Sequence, residues 1–442
     1  MRVTLGLLLS ALLVELLVPS WALGPLSPEH QTGLETLESK DLQNQTWGDM
    51  QGPPEKEEEK QEKAWPRTCL QQLSNETSNF GFRLLRKIST RHDGNVFFSP
   101  LGMTLAMGAL MLGAKGQTRA QVEQGLGLQA LSRTQPLLLP ALFQQLRETL
   151  SSQPELGLAQ GSFAFIHKDF EVNETFRNLS KSYFDTVCVP TNFHNASQAQ
   201  RLMNYYINKE TRGKIPQLFD GINPETKLIL VGYILFKGKW LTPFDPVLTE
   251  ADTFHLDKYR TVKVPMMYRQ GKFASTFDSN FHCHVLQLPY RGNATMLVVL
   301  TEKMGDHLDL EDYLTVDLVE MWLRNMKTRK MEVFFPKFKL DQKYEMHKLL
   351  KQMGVTKIFS PLADLSGLSA TLRNLQVSKV LQQSVIEVDE KGTEAAAGTI
   401  SQITAYTIPP TVKVDRPFHF LIYEETSRTL LFLGRVVDPT LP

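Results

Sequence analysis

The chain has 442 residues, of which 42% are hydrophobic and 21% are charged, and its formal net charge is +1 at pH 7. This length would suffice for two or three average domains, but no Pro-, Gly- or Ser-rich linker divides the chain after residue 75. The near-zero charge provides no general attraction for nucleic acid or for an anionic membrane. We therefore expect one large domain and no nucleic-acid partner.

The first residues have the pattern of a secretory signal. Arg2 precedes an apolar run at 5–18 that is too short to span a membrane. We interpret residues 1–22 as a signal peptide and expect secretion into plasma. Residues 23–74 are rich in Glu, Gln, Pro and Lys, so we expect a disordered acidic leader before a domain at 75–442. Secretion permits glycosylation at Asn-x-Ser/Thr sites, which begin at Asn44, Asn75, Asn173, Asn178, Asn195 and Asn293.

Apolar patterning predicts helices early in the chain and strands later. The spacing at 80–88 indicates a buried helix near the start of the folded body at Asn79, ended by a turn at Asp93 and Gly94. The almost wholly apolar segment 101–112 indicates a helix inside a large core. Short apolar runs predict buried strands at 228–231, 234–236, 296–300 and 430–433, and residues 309–326 read as helical. The fold class is therefore α+β.

The three cysteines, Cys69, Cys188 and Cys283, fit no disulfide framework or metal-ligand spacing. We interpret them as buried or shielded thiols, with a single disulfide as the alternative. The sequence also lacks a Gly-x-Ser-x-Gly elbow, a His-Glu-x-x-His helix and a Gly-rich phosphate loop. We therefore expect no catalytic residues, no metal and no enzymatic activity.

The segment 390–407 is the most distinctive part of the sequence, because small uncharged residues dominate it. On an extended strand, alternate side chains point to opposite faces. Thr393, Ala395, Ala397 and Thr399 would share one face, and Glu394 would lie on the other. Such a segment could remain an exposed loop and later enter a sheet, with Gly392 as a pivot.

That pattern resembles the reactive-centre hinge of the serpins. Four further segments match serpin motifs in the same order: 95–100 (Asn-Val-Phe-Phe-Ser-Pro), 236–240 (Phe-Lys-Gly-Lys-Trp), 415–422 and 432–436. The resemblance covers residues 75–442. It implies a large central sheet, further sheets, about nine helices and an exposed reactive-centre loop at about 390–411.

The resemblance also implies a suicide-substrate mechanism. The protease serine would attack the bond between Tyr406 and Thr407 and form an acyl-enzyme. Loop insertion would then trap the protease before water releases it. The resemblance implies the hinge residues Glu390, Gly392, Thr393, Ala395, Ala396 and Ala397. It further implies a salt bridge between Lys337 and Glu390, with Trp240 packed nearby.

Within the family, the chain resembles a cofactor-dependent member that acts in blood coagulation. That resemblance implies inhibition of factor Xa with protein Z, calcium and phospholipid, and of factor XIa without them, with membrane contact only through protein Z. The implied protein Z contacts are Asp93, Lys258, Tyr259 and Asp312. A basic cluster is a heparin-site candidate, or else an ordinary solvated helix end: Arg324, Lys327, Arg329 and Lys330.

The chain departs from the family at three positions. Serpins have a polar cluster of Ser, Asn and His where the central sheet opens, and here the matching residues are Gly102, Gly232 and Gln382. Their joint change predicts replacement of a whole hydrogen-bond network. Three alternatives to an inhibitor remain from the sequence: a merely flexible loop, a non-inhibitory serpin that carries a small hydrophobic ligand, or a secreted hydrolase, which no group of residues here supports.

Overall fold

The structure of the protein, a computed structural model, describes residues 55–134, 138–369, 374–392 and 409–442, with side chains from Thr68 onward. These residues contain ten α-helices and fourteen strands. The helices are α1 Glu55–Ser89, α2 Pro100–Gly113, α3 Gly116–Leu126, α4 Gln129–Thr134, α5 Leu139–Ser151, α6 Glu174–Phe184, α7 Ala196–Glu210, α8 Asp306–Leu310, α9 Val316–Asn325 and α10 Met346–Gln352.

The strands form two mixed sheets. They are β1 Val96–Phe98, β2 Leu158–His167, β3 Thr186–Thr191, β4 Leu228–Phe236, β5 Glu250–His255, β6 Thr261–Asp278, β7 Cys283–Pro289, β8 Ala294–Thr301, β9 Lys327–Pro336, β10 Phe338–Glu345, β11 Lys379–Val388, β12 Thr411–Lys413, β13 Phe418–Glu424 and β14 Thr429–Val436. One sheet has five strands in the order β10-β11-β4-β2-β3. The other has nine, in the order β1-β14-β13-β8-β7-β6-β9-β12, with β5 paired to β6.

Both faces of the five-stranded sheet are covered, which explains the continuous apolar sequence of β4. All nine β4 residues are buried, as expected for a strand that has no solvated face. On one face, α7 contributes Ala199, Met203 and Ile207 to a core over β2 and β4. The opposite face joins the main core, in which thirteen of the fourteen α2 residues are buried.

The structure confirms the α+β class and the predicted core helix. It corrects two details, namely the helix predicted at 309–326 and the start of the first helix. The helix predicted at 309–326 is three pieces, because Thr315 adopts an extended backbone and its side chain accepts from Leu318 N to begin α9. A short 3-10 turn, Glu311–Tyr313, separates α8 from α9.

Helix α1 begins at Glu55, within the segment that the sequence analysis assigns to the leader. Its side chains are packed as early as Cys69 and Leu73, before the predicted start at Asn79. These two residues continue the stripe of Phe80, Leu84 and Ile88 at helical spacing.

Candidate functional site: the hinge at the end of the central sheet

The centre of the five-stranded sheet holds a parallel pair of strands. Strands β11 and β4 pair from Lys379 opposite Ile229 to Val385 opposite Leu235. Parallel pairing is slightly less stable per residue than antiparallel pairing. A strand placed between them and antiparallel to both would convert one parallel ladder into two antiparallel ladders. The chain that follows β11 has the required direction if it turns back at the end of that strand.

A turn of this kind begins directly after β11. Asp389 N donates to Gly392 O at 2.9 Å, and Gly392 N donates to Asp389 O at 3.2 Å. Gly392 has φ +117°, a value that side chains with a Cβ rarely adopt. A Cβ there would also lie 2.4 Å from Gly238 O and 2.7 Å from Trp240 N. Glycine is therefore required at Gly392 by both its backbone conformation and its surroundings.

The side chain of Glu390 anchors the base of this turn. Lys337 Nζ lies 2.9 Å from Oε2 and 3.1 Å from Oε1, and Thr249 Oγ1 donates to Oε1 at 2.8 Å. The Glu390 side chain is 10% exposed. Burial raises the pKa of this carboxyl, but the hydrogen bonds from Lys337, from its own backbone N–H and from Thr249 outweigh burial, so the pKa is lowered. The ion pair implied by the resemblance is present.

Trp240 packs against the turn and hydrogen-bonds to its backbone. Its ring stacks on Tyr290 at a centroid distance of 4.2 Å, and its Nε1 donates to Asp389 O at 2.9 Å. Its backbone N–H donates to Lys391 O at 3.1 Å. The tryptophan is core by burial, at 2% exposed, and it is also a direct partner of the hinge backbone. Residues 393–408 of the predicted loop, with Thr393, Ala395, Ala396, Ala397, Tyr406 and Thr407, lie outside the described residues, and its last predicted residue, Thr411, begins β12.

Gly102, Gly232 and Gln382 come together on the α2 side of this sheet. Gln382 is opposite Gly232 in the parallel ladder and is fully buried. Its Nε2 donates to Ser99 O at 2.9 Å, and Ser99 N donates to its Oε1 at 3.3 Å. A Cβ at Gly102 would lie 3.2 Å from that Nε2. One amide side chain thus occupies the space next to Gly102 and bridges the sheet to the start of α2.

The comparison with protein families assigns the fold. Residues 75–439 match the family model described as "Serpin (serine protease inhibitor)". The chain belongs to the serpin family. The prediction that the chain belongs to a family of inhibitors, and not of enzymes, is therefore confirmed. None of the helices that the structure describes has the length and apolarity needed to cross a membrane.

Curated serpins include relatives that align over the whole chain. The human protein named Protein Z-dependent protease inhibitor is 71% identical, with all of both chains covered. The rat protein of the same name is 68% identical, again with all of both chains covered. Among solved structures, mouse protein-Z dependent protease inhibitor matches with a TM-score of 0.80 and 70% identity, covering 86% of this chain and 100% of that one.

A second solved serpin has a different activity. Human thyroxine-binding globulin, solved with its hormone, matches with a TM-score of 0.78 and 34% identity over 84% of this chain and 100% of that one. The serpin fold therefore supports more than one function, and the site must decide between them.

The four residues implied for protein Z docking are all exposed in this serpin. Lys258 and Tyr259 lie on the turn between β5 and β6, where Asp257 Oδ1 accepts from the backbone N–H of Tyr259 and of Arg260. Tyr259 is 87% exposed, and Lys258 Nζ lies 5.8 Å from its ring centroid. A large aromatic side chain this exposed is typical of an interface.

Asp93 and Asp312 lie on two other segments that meet at one buried arginine. Asp93 is in the loop between α1 and β1, and Asp312 is in the 3-10 turn Glu311–Tyr313. Arg435 of β14 hydrogen-bonds to His92 O and Gly94 O, on either side of Asp93, and its Nη1 lies 2.7 Å from Glu311 Oε1. The sequence analysis missed this residue, because its partners are more than a hundred positions away.

The basic cluster is only partly on one face. Arg324 ends α9, and its Nε donates to Glu320 O. Lys327 and Arg329 alternate with Lys330 along β9, so Lys330 points to the opposite face of the strand. Lys330 is opposite Lys272 of β6. Lys330 therefore lies apart from Lys327 and Arg329, which share one face of β9 next to Arg324.

The described glycosylation candidates differ in accessibility. Asn173, Asn178, Asn195 and Asn293 are exposed, whereas Asn75 is half-buried in α1 and accepts from Gln71. Asn44 lies outside the described residues. Cys69, Cys188 and Cys283 are free thiols, as the first interpretation expects. Burial raises the pKa of Cys283 to about 12, so this thiol is unreactive at neutral pH.

One group of side chains among the described residues offers donor atoms to a metal. His167, Asp169 and His194 place their donor atoms within 4.8 Å of one another. However, His167 Nδ1 already lies 3.3 Å from the backbone N–H of Asp169, which donates to it. That bond occupies one ring nitrogen and leaves the buried His167 Nε2 without a partner, and the expectation of no metal stays a prediction.

Proposed function

We propose that the protein is a secreted plasma serpin that traps coagulation factor Xa with the help of protein Z, calcium and phospholipid, and factor XIa without them. The protease cleaves the bond between Tyr406 and Thr407. The loop then enters the central sheet and carries the acyl-enzyme with it. The single observation that supports this mechanism best is the parallel β11–β4 pair with a glycine turn at its end.

The topology supplies a driving force for insertion. A loop that folds back beside β11 is antiparallel to both β11 and β4 and pairs with both, which is a form of strand addition of which serpin loop insertion is an example. The small residues at Thr393, Ala395 and Ala397 suit a strand buried on one face, because a charged side chain there would have to lose its hydration. Insertion requires the turn at Gly392 to open and the β11–β4 ladder to separate.

The dependence on protein Z follows from the residue at the reactive bond, Tyr406, and from the docking residues. An aromatic residue at Tyr406 is a poor match for trypsin-like coagulation proteases, which prefer arginine. Affinity must then come from elsewhere, and a cofactor that binds both molecules raises their effective concentration without a new contact at the cleft. The names of the human, rat and mouse relatives support protein Z as that cofactor.

Heparin is a further proposed partner, through Lys327 and Arg329, with Arg324 at the adjacent helix end. Their positive charge suits a sulfated chain, and such binding depends strongly on salt. The opposite orientation of Lys330 favours a site that includes the first three residues and excludes the fourth.

The carrier alternative finds less support in the cavities. One cavity among the described residues, about 460 Å³, lies between α5, β2 and the end of α7. Five of its eleven lining residues are charged, namely Arg147, Asp185, Lys209, Glu210 and Arg212. Sites for small hydrophobic ligands are lined mainly by apolar and aromatic groups.

The test is the rate of factor Xa inhibition with and without protein Z, calcium and phospholipid. We expect the second-order rate constant to rise by orders of magnitude when all three are present, and the rate with factor XIa to be independent of them. Equal rates with factor Xa under both conditions would contradict the proposed cofactor dependence. A protein cleaved without inhibition would favour the carrier or the merely flexible loop.

A further inference from the structure

Arg435 is a fully buried charge that joins two separate surface segments. Nε and Nη2 donate to Gly94 O at 3.0 and 2.9 Å, and Nη2 also donates to His92 O at 3.0 Å. The two peptide carbonyls flank Asp93. The backbone on both sides of this exposed acid is therefore fixed by one guanidinium.

The same guanidinium reaches the second segment. Arg435 Nη1 lies 2.7 Å from Glu311 Oε1 and 2.9 Å from Ser89 Oγ. Glu311, 2% exposed, directly precedes the exposed Asp312. His419 Nε2 is also 2.7 Å from Glu311 Oε1. Burial raises the pKa of Glu311, but the hydrogen bond with His419 and the positive charge of Arg435 outweigh burial, so the pKa is lowered and the carboxylate stays charged.

A second arginine fixes the backbone of the 3-10 turn. Arg86 of α1 donates from Nη1 to Glu311 O and to Leu314 O, both at 3.2 Å. In the turn that carries Asp312, Arg435 therefore binds the side chain of Glu311, and Arg86 binds the backbone carbonyls of Glu311 and Leu314. Both arginines contact the turn from the protein side and leave Asp312 exposed.

We infer that Arg435 and Glu311 are positioning residues of the protein Z-docking surface, which set the separation of Asp93 and Asp312 before the cofactor arrives. The inference rests on the proposed protein Z contact. Ordering a surface loop at the moment of binding reduces affinity, and a preformed pair of acids avoids that cost. The planar five-donor guanidinium suits this role, because an ammonium cannot hold the carboxylate and both carbonyls in one fixed geometry.

The test is Arg435→Lys, with the dissociation constant for protein Z as the main measurement. We expect at least about a tenfold loss of affinity, equivalent to about 1.4 kcal/mol, while the rate with factor XIa changes less than about twofold. Arg83→Lys is the matched control, since Arg83 is a partly buried arginine of α1 whose Nη2 likewise donates to a backbone carbonyl, Gly125 O. We expect Arg83→Lys to leave protein Z affinity unchanged.

A variant cycle separates positioning from general destabilisation. In a protein that already carries Asp93→Ala and Asp312→Ala, Arg435→Lys should cause no further loss of protein Z affinity. Glu311→Gln, which keeps the shape of the side chain, serves if Arg435→Lys does not fold, and we expect it to weaken protein Z binding in the same direction. An equal loss with and without the two acids would overturn the inference.

Failure of the proposed function can be distinguished from failure of the inference about Arg435 and Glu311. If the unaltered protein does not bind protein Z, the docking proposal is wrong and the inference fails with it. If the unaltered protein binds and both Arg435→Lys and Glu311→Gln bind equally well, only the inference is wrong.

Discussion

Gln382 forms a two-way hydrogen-bonded bridge to the backbone of Ser99. Its Nε2 donates to Ser99 O at 2.9 Å, and its Oε1 accepts from Ser99 N at 3.3 Å. The bridge links β11 to the first turn of α2, opposite Gly232 of β4. It lies at the ladder that must separate for the loop to insert, so its strength affects both stability and inhibition.

We predict that Gln382→Ala destabilises the protein by about 1–3 kcal/mol, because it leaves the buried N–H of Ser99 without a partner, whereas Ser99 O still accepts from Met103 N. Urea unfolding would measure the change. We also predict that more of the protein is cleaved as substrate per protease trapped, since the sheet opening is no longer defined. An unchanged unfolding midpoint would mean that water or another group satisfies Ser99.

A double variant tests the steric part of this arrangement. Gly102→Ala alone should be destabilising, because its Cβ would lie 3.2 Å from Gln382 Nε2. In the Gln382→Ala background that contact is removed, and the added methyl group should cost less than it does alone. Strict additivity of the two changes would contradict the account of Gln382 as the group that fills this space.

The Glu390 carboxylate should give the hinge a defined pH dependence. Its folded pKa is lowered from the ordinary 4.5, so its stabilisation is complete above about pH 4.5 and is lost as the pH falls through the lower folded value. We predict that Glu390→Gln is less stable than the parent protein at pH 7 and that the difference shrinks below pH 4.5. Thermal unfolding from pH 7 to pH 3 would measure it.

Glu387→Gln is the matched control for this series, because Glu387 is an exposed glutamate of β11, three positions before Glu390. It should change the unfolding temperature little at any pH. A stability difference for Glu390→Gln that stays constant, or grows on acidification, would disagree with the lowered pKa.

Thr393→Arg should convert the inhibitor into a substrate. The arginine would lie on the face of the inserting strand that becomes buried, and its hydration would have to be removed during insertion. Glu394→Arg places the same charge on the opposite face, so it should retain most of the trapping activity. The number of inhibitor molecules consumed per protease trapped is the measurement. Undiminished trapping by Thr393→Arg would contradict insertion of this segment.

Tyr259→Ala should abolish the acceleration of factor Xa inhibition by protein Z and leave the reaction with factor XIa intact. The ring is 87% exposed, so its loss should not disturb the fold. Tyr205→Ala, which removes a 60% exposed ring from α7, is the control and should leave both reactions unchanged. Equal loss of both reactions in Tyr259→Ala would refute the assigned role.

Local patterns in the sequence were sufficient to predict the core and a glycine pivot after β11. Helix α2 and strands β4, β8 and β14 follow from apolar runs that need no knowledge of distant residues. Glycine at Gly392 could be predicted as a pivot because small residues follow it. Its φ of +117° and its contact with Gly238 O give the physical reason.

The arrangements that depend on distant residues could not be predicted in the same way. The sequence analysis identified Gln382 as a departure, but its partner Ser99 lies 283 positions away. It also identified Asp93 and Asp312 without Arg435, since the arginine has no local signal apart from its place in a C-terminal strand motif. Buried polar networks are set by the tertiary fold, and a single sequence contains little information on their pairing.

The central claim is that the reactive bond leads to a trapped acyl-enzyme and not to simple cleavage. The most direct measurement is a denaturing gel of the protein mixed with factor Xa, protein Z, calcium and phospholipid, followed by mass spectrometry of the released peptide. The account predicts a covalent band with the combined mass of inhibitor and protease, and a peptide whose N-terminus is Thr407. Cleavage after Tyr406 with no covalent band would contradict it.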